Sequence, residues 1–382
     1  MVSPGALDGI RVLGVEHFIS GPFCTQILAD QGADVIKVES PHHDQRNGYF
    51  HTLNRNKRSI ILDLRTDRGR QIMRALVATA DVLVTNFGAG VPDKLGFGYS
   101  ELREINPRLV YVHITGFGRD TPYEDRPAFD GVIQAMSGLM HLTGEPDGPP
   151  MLGGIFIPDH LAGLYAALAT SFGLQRRALT GEGSFTDLAM LDCLMSFQAS
   201  SFQEVLNWHE SPQRIGSRVR GSFASTYQAS DGYLYLAPLT AKMWEGVAAV
   251  IGQPWILEYF STGSNGVDTR LEHRQPLDAA IETWTRAHTV AEATAAMQAA
   301  GVAASPILSI EDIVADPHVQ ARRLIRQVPD INGVDSVYVP ASPLPVIDKA
   351  YDIAPPDAGE DTEAIIAELG LADSTGPGVT VD

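Results

Sequence analysis

Apolar and polar positions alternate along the first part of the chain in two periods. Ile10–Val15 and Asp34–Glu39 read as strands, and the apolar stretch between them, Phe23 to Gln31, reads as a helix closed by Gly32. A strand at Ser59–Leu64, a helix at Asp67–Thr79 and strands at Asp81–Thr85 and Leu109–Thr115 continue the pattern. Regular βα alternation predicts an α/β fold whose first half is Rossmann-like, an open and mainly parallel sheet with helices on both faces. Leu161–Ala178 predicts a long, largely buried helix that stops at Thr180-Gly181-Glu182-Gly183, and another helix is expected near Leu191–Trp208. The Gly/Ser/Arg stretch Gly216–Ser222 reads as a connection. Gly232–Ala237 then opens a smaller α/β domain that runs through a helix at Val290–Ala300 to about Pro306. The expected division is a large domain at 1–215 with a returning segment 325–382, a small domain at 222–308, and connections at 216–221 and 309–324. The tail after Asp357 is acidic and is expected to fray at its end.

With 382 residues, 44% of them hydrophobic, the chain has apolar material for two domains. No run approaches the roughly 18 apolar residues that span a bilayer, and the start lacks the features of a signal peptide, so a cytoplasmic protein is expected. Cys24 and Cys193 sit in apolar helical patterns and read as buried thiols, with no disulfide or thiolate metal site implied. A net charge of −18 argues against nucleic acid or an anionic membrane as partner. Within this acidic chain, residues 37–70 nevertheless hold Lys37, Arg46, Arg55, Lys57, Arg58, Arg65, Arg68 and Arg70. That local excess reads either as a solvated charged surface or as a site for a small polyanion. The turn from Gly14 to Pro22 lacks the Gly-x-Gly-x-x-Gly spacing of a dinucleotide site, and the motifs of phosphate loops, serine hydrolases and zinc proteases are absent. His42-His43 lies in a polar loop, and no metal is expected there.

The informative stretch is Gly153-Gly154-Ile155-Phe156-Ile157-Pro158-Asp159-His160, which leads to an acid at the start of an apolar helix. Proline suits a first helical turn and aspartate suits the cap, so a capping role is one reading. The other is a nucleophile, because the free N–H groups of a helix start keep a carboxylate ionised and stabilise negative charge developing beside it.

Taken in order, many short stretches make the chain resemble the family III CoA-transferases, the CaiB/BaiF family that includes formyl-CoA transferase and the α-methylacyl-CoA racemases. They are Ser20-Gly21-Pro22, Gly32–Glu39, Asn56–Ser59 with Leu62–Leu64, Asn86–Gly90 with Leu95-Gly96, Asn106–Arg108, Gly116–Gly118, Arg126–Asp130, Thr143-Gly144 and Asp147–Pro150. The likeness runs from Leu7 to about Leu324. It implies that Asp159 is the catalytic nucleophile, passing through an aspartyl–acyl anhydride and an aspartyl-CoA thioester. Acyl-CoA and an organic carboxylic acid would be the substrates, with no bound cofactor. By the same resemblance, CoA contacts fall on Phe18, Ile19, Ser20, Ser40, Leu62, Arg65, Asn86, Phe87 and Lys94. Ser40 and Pro127 stand where formyl-CoA transferase has arginine and lysine, so Arg126 is expected to supply part of the missing charge.

The resemblance also frames the alternatives. Racemases of this family use a histidine one residue before Asp130, where this chain has Phe129, and a glutamate where it reads Leu239-Thr240-Ala241-Lys242. Phenylalanine cannot take a proton, which disfavours racemisation at the α-carbon. His160 should point away from Asp159, since neighbouring helical residues diverge by about 100°. A non-catalytic acyl-CoA-binding protein would have no need of the carboxylate at Asp159. Gly216–Ser222 is the stretch that would serve as a lid, and an interlocked homodimer is implied. Met136, Met140, Phe156 and Met195 read as core or as lining for an acyl group.

Overall fold

One parallel sheet is built from β1 (Arg11–Val15), β2 (Asp34–Glu39), β3 (Lys57–Ile61), β4 (Val82–Thr85), β5 (Val110–Thr115) and β6 (Ser184–Ala189). Their order is β3-β2-β1-β4-β5-β6, and every neighbouring pair runs parallel. The computed structural model describes residues 5–42, 49–259, 273–329, 336–347 and 350–371. His43, Arg46 and the last residues of the tail lie outside them. Each residue of β4 and β5 is buried, as expected for central strands covered on both faces. β6 escapes the hydrophobic pattern because it is an edge strand, Ser184-Phe185-Thr186-Asp187-Leu188-Ala189, and only Ala189 is fully buried. The helix expected over Leu191–Trp208 is instead two, Met190–Met195 and Ala199–Asn207. At the break the Ser196 hydroxyl donates to the Cys193 carbonyl at 2.7 Å, a local bond of the kind that competes with helix continuation.

Most cations of the 37–70 cluster are used inside the fold. Glu16, directly after β1, is buried with its carboxylate 3.0 Å from Lys57 Nζ and 3.7 Å from Lys37 Nζ. Lys57 Nζ also donates to the Pro22 carbonyl and to Asn54 Oδ1, which explains how β3 starts on a lysine two residues before the expected strand. Burial pulls the Lys57 ammonium down to about 8 although Glu16 opposes it. Arg55 pairs with buried Asp30, Arg58 with Asp34 and Glu368, and Arg70 with Asp67. The acidic C-terminal segment is tied down as far as it is described. Asp361 accepts from the Ser59 N–H at 2.8 Å, Thr362 Oγ1 accepts from the Ile61 N–H at 3.2 Å, and Ile365 is buried. These contacts cover the open edge of β3, which would otherwise expose unpaired backbone groups.

The chain divides into two compact units, 1–139 with 152–210 and 318–382, and 140–151 with 211–317. The second holds the antiparallel strands β7 (Ser225–Gln228), β8 (Tyr233–Leu236) and β9 (Ala304–Pro306). Helices Ala241–Ile251, Arg274–Thr285 and Val290–Ala299 pack there around the buried Trp244. Residues 140–151 group with this unit rather than with 1–139, because Arg214 donates to the His141 and Glu145 carbonyls and the Gly216 N–H to the Gly144 carbonyl.

The helix Ile157–Thr180 lies against the helix Ser20–Asp30 and against β5. Contact is close because Gly163 and Gly173 carry no side chain. A Cβ on Gly163 would sit 2.7 Å from the Ser20 carbonyl oxygen and 2.9 Å from the Phe23 ring, and one on Gly173 would sit 2.6 Å from Val110. Gly163→Leu is therefore expected to destabilise the first unit by about 1–3 kcal/mol, read as a lowered midpoint in urea unfolding followed by near-UV circular dichroism. An unchanged midpoint would mean the helices separate at no cost.

Candidate active site

β1 and β4 are sheet neighbours whose crossover connections leave in opposite directions, so a crevice opens beyond their C-terminal ends. A cleft of about 250 Å³ occupies that place. Its walls come from the turn after β1 (His17, Phe18, Ser20), the loop after β4 (Asn86 to Ala89), the end of β5, the segment 126–129, and Asp159 with Met190.

The turn after β1 is held by Asn86. Its Oδ1 accepts from the His17 N–H at 2.9 Å, and its Nδ2 donates to the His17 carbonyl at 2.7 Å and to Ser20 Oγ at 3.1 Å. This clamp keeps Phe18 at φ 59°, a left-handed conformation that a bulky residue adopts only when its surroundings enforce it, with its ring half-exposed in the cleft. The helix Ser20–Asp30 begins three residues before the expected start, so the Ser20 N–H is a free first-turn donor. That N–H and the Ser20 hydroxyl lie on the Asp159 side of the cleft, and both pull the Asp159 acid constant down.

Asp159 is not the cap of its own helix. Phe156 occupies that position without a side-chain bond, and Asp159 is the third helical residue. The acid at this helix start is Asp130, whose Oδ2 accepts the Asp159 N–H at 3.4 Å. Asp130 is itself buried, and its Oδ1 accepts from Gln134 Nε2 at 2.6 Å. Burial first, and then the neighbouring Asp130 charge, raise Asp159 to about 6, against the lowering pull of Ser20 and His160. Burial raises Asp130 as well, opposed by Gln134, the Asp159 N–H and His160. Asp130 and Gln134 did not stand out in the sequence beyond the family motif. Their signal is a polar pair at i and i+4 on one short helix, Asp130–Met136.

His160 turns away as expected. Its Nδ1 lies 2.6 Å from the Phe156 carbonyl, and its ring meets Phe23 edge-on. Phe129 lies on the cleft wall, exposed, with its ring 5.9 Å from that of Phe18. Among the residues assigned to CoA, Phe18, Ser20, Asn86, Phe87 and Arg126 line the cleft, whereas Ile19, Ser40, Leu62, Arg65 and Lys94 do not. Leu62 is buried in the core and Ile19 is buried at the helix start. Arg65 is exposed and forks onto the Asp63 carboxylate at 2.9 and 3.0 Å. Lys94 lies in the last turn of the helix Val91–Leu95, and Ser40 Oγ accepts from the His42 N–H. The Arg126 guanidinium lies 3.8 Å above the Tyr123 ring. Met190 lines the cleft, and Met136, Met140, Phe156 and Met195 do not. In the second unit, Thr240 caps its helix by accepting from the Met243 N–H at 3.3 Å.

The protein is thus an α/β fold with a carboxylate, Asp159, in a crevice at the C-terminal ends of its parallel strands. The model of CoA-transferase family III matches residues 7–362. The chain is 35% identical to the succinate–glutarate CoA-transferase of Agrobacterium fabrum, over 97% of each chain. It is 35% identical to the succinyl-CoA:mesaconate CoA-transferase of Haloarcula marismortui over 89% of this chain and 90% of that one. A crystal structure of a CaiB/BaiF family protein from Brucella suis superposes with a TM-score of 0.82 at 35% identity, covering 96% of this chain and all of that one. The chain belongs to CoA-transferase family III, and it is an enzyme of the CoA-transferase type.

The raised carboxyl has a thermodynamic consequence. Its folded-state value of about 6 lies above the ordinary 3.8, so the ionised group opposes folding above pH 6, and that opposition vanishes below about pH 4. Asp159→Asn is expected to raise Tm by about 2–4 °C at pH 7.5 and to leave it unchanged at pH 4, as measured by differential scanning calorimetry. Equal Tm values at both pH values would remove the buried, repelled carboxylate from the account.

Proposed function

We propose that Asp159 carries the transfer of CoA from an acyl-CoA to an organic carboxylic acid. One observation bears most of the weight. Its carboxylate lines the switch-point cleft beside Ser20 and forms no ion pair with a lysine or arginine among the described residues. A carboxylate that faces a cleft with no cation on it is open to an incoming thioester carbonyl.

Asp159 attacks the donor thioester carbonyl, the C–S bond breaks and CoA thiolate leaves an aspartyl–acyl anhydride. The thiolate returns to the aspartyl carbonyl and the donor carboxylate departs. The acceptor carboxylate then opens the aspartyl-CoA thioester, and the released thiolate attacks the acyl carbonyl of the new anhydride, restoring Asp159. No step needs a net proton, so phenylalanine at position 129 is no handicap to transfer, whereas it would be to racemisation. With its acid constant near 6, Asp159 is mostly ionised at neutral pH and more basic than an ordinary aspartate, which favours attack. At about 250 Å³ the cleft is a little below the usual size of ligand pockets (~300–1,000 Å³). It suits the thioester end of an acyl-CoA, with Phe18, Ser20, Asn86, Phe87 and Arg126 around it. The nucleotide end would run toward Ser40, Leu62, Arg65 and Lys94, which follow β2, β3 and β4 at the same edge of the sheet.

Homodimerisation belongs to the same proposal. The helix Ile157–Thr180 leaves Leu164, Leu168, Phe172 and Leu179 on one side, 42 to 88% exposed. A stripe of this kind on a 24-residue helix calls for cover. A second copy of the chain, interlocked with the first, would supply it.

Incubation with succinyl-CoA followed by hydroxylamine should convert Asp159 to its hydroxamate, located by peptide mass spectrometry. Asp159→Ala should lose transfer activity by about 10³-fold or more. Modification at another residue would sink the mechanism. Light scattering should give twice the chain mass, and the double substitution Leu168→Asp with Phe172→Asp should give the monomer. A monomeric parent protein would refute the dimer.

A further inference from the structure

The side chain of Gln134 is fully buried, and both ends of its amide are engaged. Oε1 accepts the Gly153 N–H at 2.9 Å, while Nε2 donates to Asp130 Oδ1 at 2.6 Å and to the Ile155 carbonyl at 3.4 Å. The partners dictate the orientation of the amide. A backbone N–H can only donate and a backbone carbonyl can only accept, so the oxygen must face Gly153 and the nitrogen must face Ile155 and Asp130. One side chain thus holds two things at once. It pins the glycine turn 153–155 that delivers the chain into the helix Ile157–Thr180, and it orients the carboxylate that accepts the Asp159 N–H.

We propose that Gln134 is a positioning residue for the transfer reaction: it fixes the Asp130 carboxylate against the start of the Asp159 helix and thereby sets the ionisation and aim of Asp159. This rests on Asp159 being the nucleophile. Gln134 acts through Asp130 and does not line the cleft. Its donor pulls the Asp130 acid constant down against the raising effect of burial, and charge on Asp130 in turn raises that of Asp159. The other titratable or charged groups near the pair are His160, whose ring is turned to the Phe156 carbonyl, and His17, Glu124 and Arg126 on the cleft wall.

Without the amide donor, Asp130 takes up a proton more readily. Its repulsion of Asp159 then falls away, and the acid constant of Asp159 drops. The measurement is the single-turnover rate of Asp159 modification by succinyl-CoA, followed as a function of pH in the full chain. In Gln134→Met, the acid limb of this profile should move to lower pH by ~0.5–1 unit. The plateau rate should fall about tenfold or more, while KM for the acyl-CoA stays within about threefold. Asp130→Asn, which removes the same charge with Gln134 left in place, should move the limb in the same direction. Gln134→Glu keeps an acceptor for Gly153 but sets a second carboxyl against Asp130, and it should also depress the plateau.

If Gln134→Met or Gln134→Glu lowers Tm while the acid limb and the plateau stay where they are, Gln134 only satisfies the loop and the proposal is overturned. If Gln134→Met does not fold, the Gln134→Glu and Asp130→Asn profiles decide alone, and an unmoved limb in Asp130→Asn overturns it. Absence of an adduct at Asp159 in the parent protein is a separate result that refutes the nucleophile itself.

Discussion

The site depends on how closely two helices approach at Gly163. There the helix Ile157–Thr180 meets the Ser20 carbonyl and the Phe23 ring with no side chain between them, and this contact brings the start of one helix beside the start of the other. The first-turn N–H groups of both helices are thereby brought to the same part of the fold. Ser20 at one start pulls the Asp159 acid constant down, and the other start receives Asp130 on the Asp159 N–H. Among the described residues neither acid pairs with a lysine or arginine, and Asp130 is held by the Gln134 amide and the Asp159 N–H.

Charge elsewhere is handled in the opposite way. Glu16, Lys37 and Lys57 are buried together under the turn after β1, and removing one member of such a group typically costs about 3–5 kcal/mol because it strands the others. This network anchors the turn from below while Asn86 clamps it from beside. The local excess of lysine and arginine is therefore chiefly structural. A sequence cannot separate a cation that meets a ligand from one that meets a buried glutamate, since the partner lies tens of residues away.

Apolar periodicity located the strands and helices of the sheet well, because central parallel strands are buried on both faces and read as continuous apolar runs. It failed at β6, an edge strand with few fully buried residues, and at Ser196, where a hydroxyl diverts a backbone carbonyl. The start of the helix at Ser20 was also misplaced. Its first turn contains Gly21 and Pro22, which look like loop but are tolerated where no intrahelical donor is required.

What the sequence determined by itself was the parallel α/β class, the family resemblance from its ordered motifs, and Asp159 as an acid at a helix start. Only the tertiary structure decided that Asp159 is the third helical residue rather than the cap, and that Asp130 takes the helix N-terminus. It also decided that Gln134 ties the glycine turn to that acid. These are distance relations between segments up to 29 residues apart in the chain, set by side-chain burial and hydrogen-bond geometry. Local propensity carries no information about them.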